Sequence, residues 1–215
     1  MWKFESEQKR FEIGNVKVGG IPGEHPTVLI GSMFYDGQKL LKNEKTGDFN
    51  RKTAENLIMR QLEISDITGN PCMLDIVGST SQALMKFLDF AAGVTDIPLL
   101  MDGISAGVRV ATLDYVKESG LTSRIIYNSI TPKFKQEELE KIQDVGIKSA
   151  ILLAYTTTEF TARGREKAIE GLLPIVQDAG IQNPLIDTCV LDIPTLGMAC
   201  KLINVLKNEF GFPVG

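Results

Sequence analysis

The sequence predicts a TIM-type (β/α) barrel of the α/β class, on three observations. From residue 27 onward, short apolar runs alternate with amphipathic stretches, the pattern of repeated βα units. Each apolar run is nearly continuous, as expected of strands buried on both faces of a parallel sheet. Six such repeats follow one another with no Gly-x-Gly-x-x-Gly turn after the first strand, which favours a barrel over a dinucleotide-binding sheet. About seven strands fit into 215 residues. A full barrel has eight and typically ~250 residues. The expectation is therefore one barrel domain over residues 1–215, C-terminally truncated and missing its eighth βα unit. An open doubly wound sheet is the structural alternative.

Residues 1–26, including FEIGNVKVGG, read as a hairpin or cap that plugs the barrel bottom, and the barrel proper starts at residue 27. Residues 27–34 (TVLIGSMF) form the first strand, and a Gly-, Asp- and Asn-rich loop follows. The helix over 52–68 places Leu57, Ile58, Leu62 and Ile64 at helical spacing for one core-facing stripe. The second strand is 72–77, after the GNP turn, with its helix over 81–92. Residues 98–101 form the third strand, and the next helix opens near Ser105. The fourth strand is 124–127 with a helix over 136–145; the fifth is 150–154 with a helix over 165–178. The sixth is 185–190 with a helix over 195–210, where Leu202, Val205 and Leu206 form the buried stripe. The closing GFPVG opens a seventh strand.

Composition narrows the function classes. Hydrophobic residues make up 43% and charged residues 23%, the balance of a soluble globular domain. No run is long enough to span a bilayer and the N-terminus lacks a signal-peptide core, so a cytoplasmic location is expected. A net charge of -4 offers no basic surplus for nucleic acid. Cys72, Cys189 and Cys200 form an odd set without a CxxC pair, and read as packed thiols rather than a metal site. The single histidine, His25, lies in a turn-rich GIPGEHP loop and makes a poor general base.

In such a barrel the reactive groups sit at the C-terminal strand ends. Those positions hold Asp75, Asp102, Asn128 and Asp187. Each falls within or just after an apolar run, where an unpaired charge is costly. Any one of them alone reads equally well as a helix cap or turn residue, and Asp102 is placed to cap the helix that opens at Ser105. Four at one end of successive strands fit better as hydrogen-bond partners for a nitrogen-rich heterocycle. An Asp there accepts a bidentate pair from a ring N–H and an exocyclic amino group.

The segments IGSMFYDGQK, LDIVGSTSQ, LLMDGISAGVR, IIYNSIT and LIDTCVLDIPT together resemble the H subunit of tetrahydromethanopterin S-methyltransferase and its bacterial relatives that use methyltetrahydrofolate. The resemblance covers essentially the whole chain. More distantly, the chain is similar to methyltetrahydrofolate:corrinoid methyltransferases and dihydropteroate synthase, all pterin-binding barrels. The resemblance implies that Asp102, Asn128 and Asp187 hold the pterin, with Asp75 at a further acidic strand end. It implies methyl transfer between N5 of a tetrahydropterin (tetrahydrofolate or tetrahydromethanopterin) and a corrinoid. Asp102 or Asp75, acting through water, is the candidate acid. No Asp-x-His-x-x-Gly motif is present, so the corrinoid (cobalamin) is expected on a corrinoid-binding partner protein. A homodimer is the expected assembly. Family chains continue past this terminus, through an Asn near N5 and an eighth unit, so this length of chain is not expected to be fully active alone.

Lesser candidates are Arg109 and Arg163, for a glutamate tail or, more simply, as solvated helix positions, and Thr157 and Glu159 as site-lining candidates. Two other functions compete. A pteroate-synthase-type enzyme would need Lys and Arg from strands seven and eight. A non-catalytic subunit of a methyltransferase complex would bind without turnover.

Overall fold

The computed structural model describes residues 3–215. An antiparallel hairpin comes first, β1 (Arg10–Ile13) and β2 (Val16–Gly19), turned at Gly14 with φ of 56°. The repeats follow: β3 (Leu29–Met33), a small hairpin of β4 (Leu41–Asn43) and β5 (Asp48–Phe49), and α1 (Arg51–Thr68). Then come β6 (Cys72–Gly78), α2 (Ser81–Val94), β7 (Leu99–Gly103), α3 (Ala106–Glu118), β8 (Ile125–Ile130) and α4 (Gln136–Val145). The chain closes with β9 (Ser149–Leu153), α5 (Ala162–Asp178), β10 (Asn183–Asp187) and α6 (Ile193–Glu209).

Six strands form one parallel sheet in the order β10-β9-β8-β7-β6-β3. Val214 adds a parallel bridge to Ile186, which is the expected start of a seventh strand beyond β10. One cavity touches both β3 (Ile30, Ser32) and residues Val214 and Gly215 at the opposite margin, so the sheet curls into the arc of a barrel.

Strand parity divides the interior. Leu74, Ile76, Leu99, Met101, Ile125, Tyr127, Ala150 and Leu152 face outward and pack with the helices in the larger core cluster. Met73, Leu100, Ile126, Ile151 and Leu185 face inward and pack against Ile13, Val16 and Val18 of the hairpin. The hairpin thus plugs the lumen, as the FEIGNVKVGG segment leads one to expect. Each aliphatic side chain buried this way contributes roughly 1.5–3 kcal/mol.

Three expectations need correction. The loop after β3 contains the β4–β5 hairpin, held because Phe49 packs edge-on against Phe34 and Phe87, at 4.9 and 5.4 Å between ring centroids. The sixth strand ends at Asp187, not 190, because Cys189 turns the chain with φ of 60°. Of the α1 stripe, Ile58 is fully buried, but Leu57 is 44% and Ile64 41% exposed. They line a groove of about 300 Å³ with Leu29 and Ile30, because β3 is an edge strand and α1 has a packed neighbour on one side only.

Candidate functional site

Helix capping is settled by other residues. Asn50, Thr80, Ser105, Thr161 and Asp192 accept the first-turn N–H groups of α1, α2, α3, α5 and α6. Ser105, not Asp102, caps α3. None of the four polar strand-end residues caps a helix, although Asp187 takes a turn role by accepting the Cys189 N–H.

Asp75, Asn128 and Asp187 line a single cavity of about 620 Å³ that fills the lumen above the plug. Asp102 and Asn128 are register partners on β7 and β8. The Ser32 hydroxyl donates to Asp75 Oδ2 at 2.8 Å, and Asn128 Nδ2 donates to Asp75 Oδ1 at 3.1 Å. Asp75 is thus bonded from β3 on one side and, across β7, from β8 on the other. Asp187 ends β10, where its Oδ1 accepts the Cys189 N–H at 2.7 Å and the carboxylate stays exposed.

The electrostatics follow from this packing. Burial pushes the Asp75 carboxyl up, and the bonds from Ser32 and Asn128 oppose that rise by favouring the ionised form. Asp102 has no hydrogen-bond donor among the described residues. Burial first, and the negative charge of Asp75 second, raise it to about 6, while Arg109 pulls the other way. The lumen thus has an apolar floor and polar groups at its strand ends, and Asp102, outside the cavity lining but beside Asn128 in register, holds a proton up to about pH 6.

Several expectations are overturned. Arg109 is not a solvated helix position: it is 8% exposed and paired with Glu138 at 3.2 Å behind the sheet, so it is unavailable to a glutamate tail. Arg163 is exposed, as the solvated reading holds. Thr157 is exposed, and Glu159 accepts from Lys167 and Thr161 beside α5, so neither lines the cavity. Cys72 and Cys189 are buried, Cys200 is exposed, and no metal-ligating cluster exists among the described residues. His25 lies in the loop before β3, at the hairpin end of the cavity and 4.0 Å from Glu24.

Two contributors were missed. Ser32 was readable in principle as the one hydroxyl inside the VLIGSMF run, in register with Asp75. Arg165 is fully buried and donates to the carbonyls of Thr188 and Cys189 at 2.5 and 2.8 Å, fixing the turn after Asp187. A helical arginine pattern carries no such signal.

The sequence profile described as Tetrahydromethanopterin S-methyltransferase MtrH subunit matches residues 6–215. The H subunit of tetrahydromethanopterin S-methyltransferase from Methanopyrus kandleri is 41% identical over 219 residues, covering 97% of this chain and 68% of the relative. The Methanosarcina barkeri counterpart is 37% identical, over 100% of this chain and 71% of the relative. Among solved structures, Xanthomonas albilineans dihydropteroate synthase superposes with a TM-score of 0.62 at 15% identity, covering 95% of this chain and 75% of that one. A truncated 3-deoxy-D-arabino-heptulosonate 7-phosphate synthase from Thermotoga maritima gives 0.59 at 12% identity, covering 97% of this chain and 68% of that one. These structural likenesses establish the barrel-type fold.

Proposed function

The chain belongs to the family of tetrahydromethanopterin S-methyltransferase MtrH subunits, and on that premise we propose that it moves a methyl group between N5 of a tetrahydropterin and a corrinoid carried by a separate protein. One observation carries the reading: Asp75, Asn128 and Asp187 share a single lumen, with Asp102 beside Asn128, and none of the four caps a helix. The names of the relatives favour tetrahydromethanopterin as the pterin, with tetrahydrofolate as the alternative.

In this reading Asp187 and Asn128 hold the ring edge, and the Ser32–Asp75–Asn128 chain fixes the amide so that its carbonyl accepts from the pterin. N5 is a poor leaving group unless it gains a proton, and such assistance is typically worth 10²- to 10⁴-fold. Asp102, raised to about 6, and its neighbour Asp75 supply that proton through water. At pH 7 about a tenth of Asp102 is protonated.

The corrinoid supplies the methyl acceptor or donor. This chain's donor set does not suit a resident one, because its one histidine lies at the hairpin end, away from the strand ends. The mouth suits a docking partner instead. Tyr35, Ile104, Phe160, Val190, Leu191 and Ile193, all in loops that follow strand ends or at the helix start just beyond, are exposed, Ile193 to 89%. No helix among the described residues is long and apolar enough to cross a membrane.

The test mixes the protein with methylcobalamin and either tetrahydrofolate or tetrahydromethanopterin and follows the methylpterin formed. The expected result is turnover with one pterin that Asp187→Ala removes. Pterin binding without turnover in any partner-supplemented mixture favours the non-catalytic subunit, and no binding of either pterin refutes the site.

A further inference from the structure

Behind the sheet, opposite the lumen, lies a buried group that the methyl-transfer reading does not use. Arg109 on α3, Glu138 on α4 and Tyr127 on β8 are 8%, 3% and 0% exposed. Arg109 Nη2 meets Glu138 Oε1 at 3.2 Å, and the Tyr127 hydroxyl donates to the same oxygen at 2.5 Å. The guanidinium carbon stands 5.2 Å from the Tyr127 ring centroid. The other guanidinium nitrogen, Nη1, donates to the carbonyl of Gly103 at 2.7 Å.

The backbone attachments give this group its meaning. Gly103 directly follows Asp102, Tyr127 directly precedes Asn128, and Asp102 and Asn128 are register partners. The closeness also explains the glycine: a Cβ at position 103 would lie 2.8 Å from Arg109 Cγ and 2.9 Å from Val108 Cγ1. Two charges this deep persist only when paired and hydrogen-bonded, so the trio is held in one geometry.

We propose that Arg109, Glu138 and Tyr127 act as positioning residues, a clamp that fixes the spacing of Asp102 and Asn128 from behind the sheet and presents a positive charge to the Asp102 carboxylate. The proposal rests on the reading of the lumen as the pterin site. The groups that bear on Asp102 are Asp75 from β6 and Arg109 from α3, and Glu138 from α4 offsets the Arg109 charge. Removing Arg109 therefore moves the Asp102 titration to higher pH. Removing the charge of Glu138 leaves Arg109 uncompensated and moves it to lower pH. Two substitutions within one ion pair thus shift one carboxyl in opposite directions, which mere loosening of the fold cannot do.

The experiment uses Arg109→Met, Arg109→Lys, Glu138→Gln and Tyr127→Phe in the full chain. The Asp102 side-chain carbon is followed by NMR against pH without ligand, and methyltetrahydrofolate and methyltetrahydromethanopterin affinities are measured separately. Expected are an upward midpoint shift in Arg109→Met, a downward one in Glu138→Gln, and a near-normal midpoint in Arg109→Lys. Pterin affinity falls roughly tenfold or more in Arg109→Met and Tyr127→Phe, because a small misplacement of oriented groups is costly. If Arg109→Met fails to fold, the Glu138→Gln and Arg109→Lys titrations decide the matter. Shifts of the same sign in Arg109→Met and Glu138→Gln, or no downward shift in Glu138→Gln, overturn the clamp. A wild-type protein that binds neither pterin refutes the site reading instead, while the titrations still stand.

Discussion

Replacing Asp102 with Asn should make the protein more stable while it weakens the site. Asp102 is raised from 3.8 to about 6, chiefly because burial strips water from its ionised form. That rise of roughly 2 units corresponds to a ceiling of about 3 kcal/mol at ~1.4 kcal/mol per unit. The sign follows from proton linkage. The native state holds this proton more tightly than the unfolded chain, so between pH 3.8 and about 6 it carries the excess proton and stability falls as pH rises. Asparagine fills the same volume and never ionises. The stability difference between Asp102→Asn and wild type should therefore be close to zero near pH 4 and climb to about 1–3 kcal/mol in favour of the variant above pH 7. Urea unfolding of both proteins side by side from pH 4 to 8 measures it, since titrating groups that do not couple to Asp102 cancel in the difference, and the relief of Asp75 from its neighbour's charge acts in the same direction. A flat difference across that range, or one that favours wild type at high pH, refutes the argument. The variant should also bind pterin poorly, an instance of stability held back at a functional position.

Asp187→Ala should lower pterin affinity roughly 10²-fold or more, the scale of two lost charge-assisted bonds. Asp187→Asn keeps an acceptor for the Cys189 N–H and should lose less; titration calorimetry separates the two. Ser32→Ala removes a donor to Asp75, so the Asp75 carboxyl should titrate higher still by NMR, with about 1 kcal/mol less stability at pH 7. Ile13→Ala empties part of the lumen plug and should cost about 2–5 kcal/mol, seen as a lowered Tm, with pterin affinity changed far less.

The repeats were legible because helix and strand periods differ and because β6 through β10 are apolar runs of strand length. The four polar strand ends were legible for the opposite reason: Asp75, Asp102, Asn128 and Asp187 interrupt or end those runs where polarity is expensive. The plug was readable from the hairpin-like FEIGNVKVGG segment, whose Ile13, Val16 and Val18 pack into the inner core. Other features depend on contacts that no local pattern encodes. Arg109 and Arg163 look alike on paper, yet one meets Glu138 from a neighbouring helix and the other meets water. Leu57 and Ile64 have the spacing of core residues, but burial needs a neighbour, and α1 stands at the sheet margin. Arg165 is buried only because the turn after β10 folds over it.

The free margin of β3 has a consequence for acidity. Leu29 and Ile30 are 49% and 46% exposed there, and the lumen reaches from Ile30 and Ser32 to Val214 and Gly215. Any polypeptide that covered this edge would further exclude solvent from the carboxylates near it. Drier surroundings would make Asp75 and Asp102 still weaker acids. How readily this ring gives up a proton is therefore governed as much by what seals the seam as by the side chains within it.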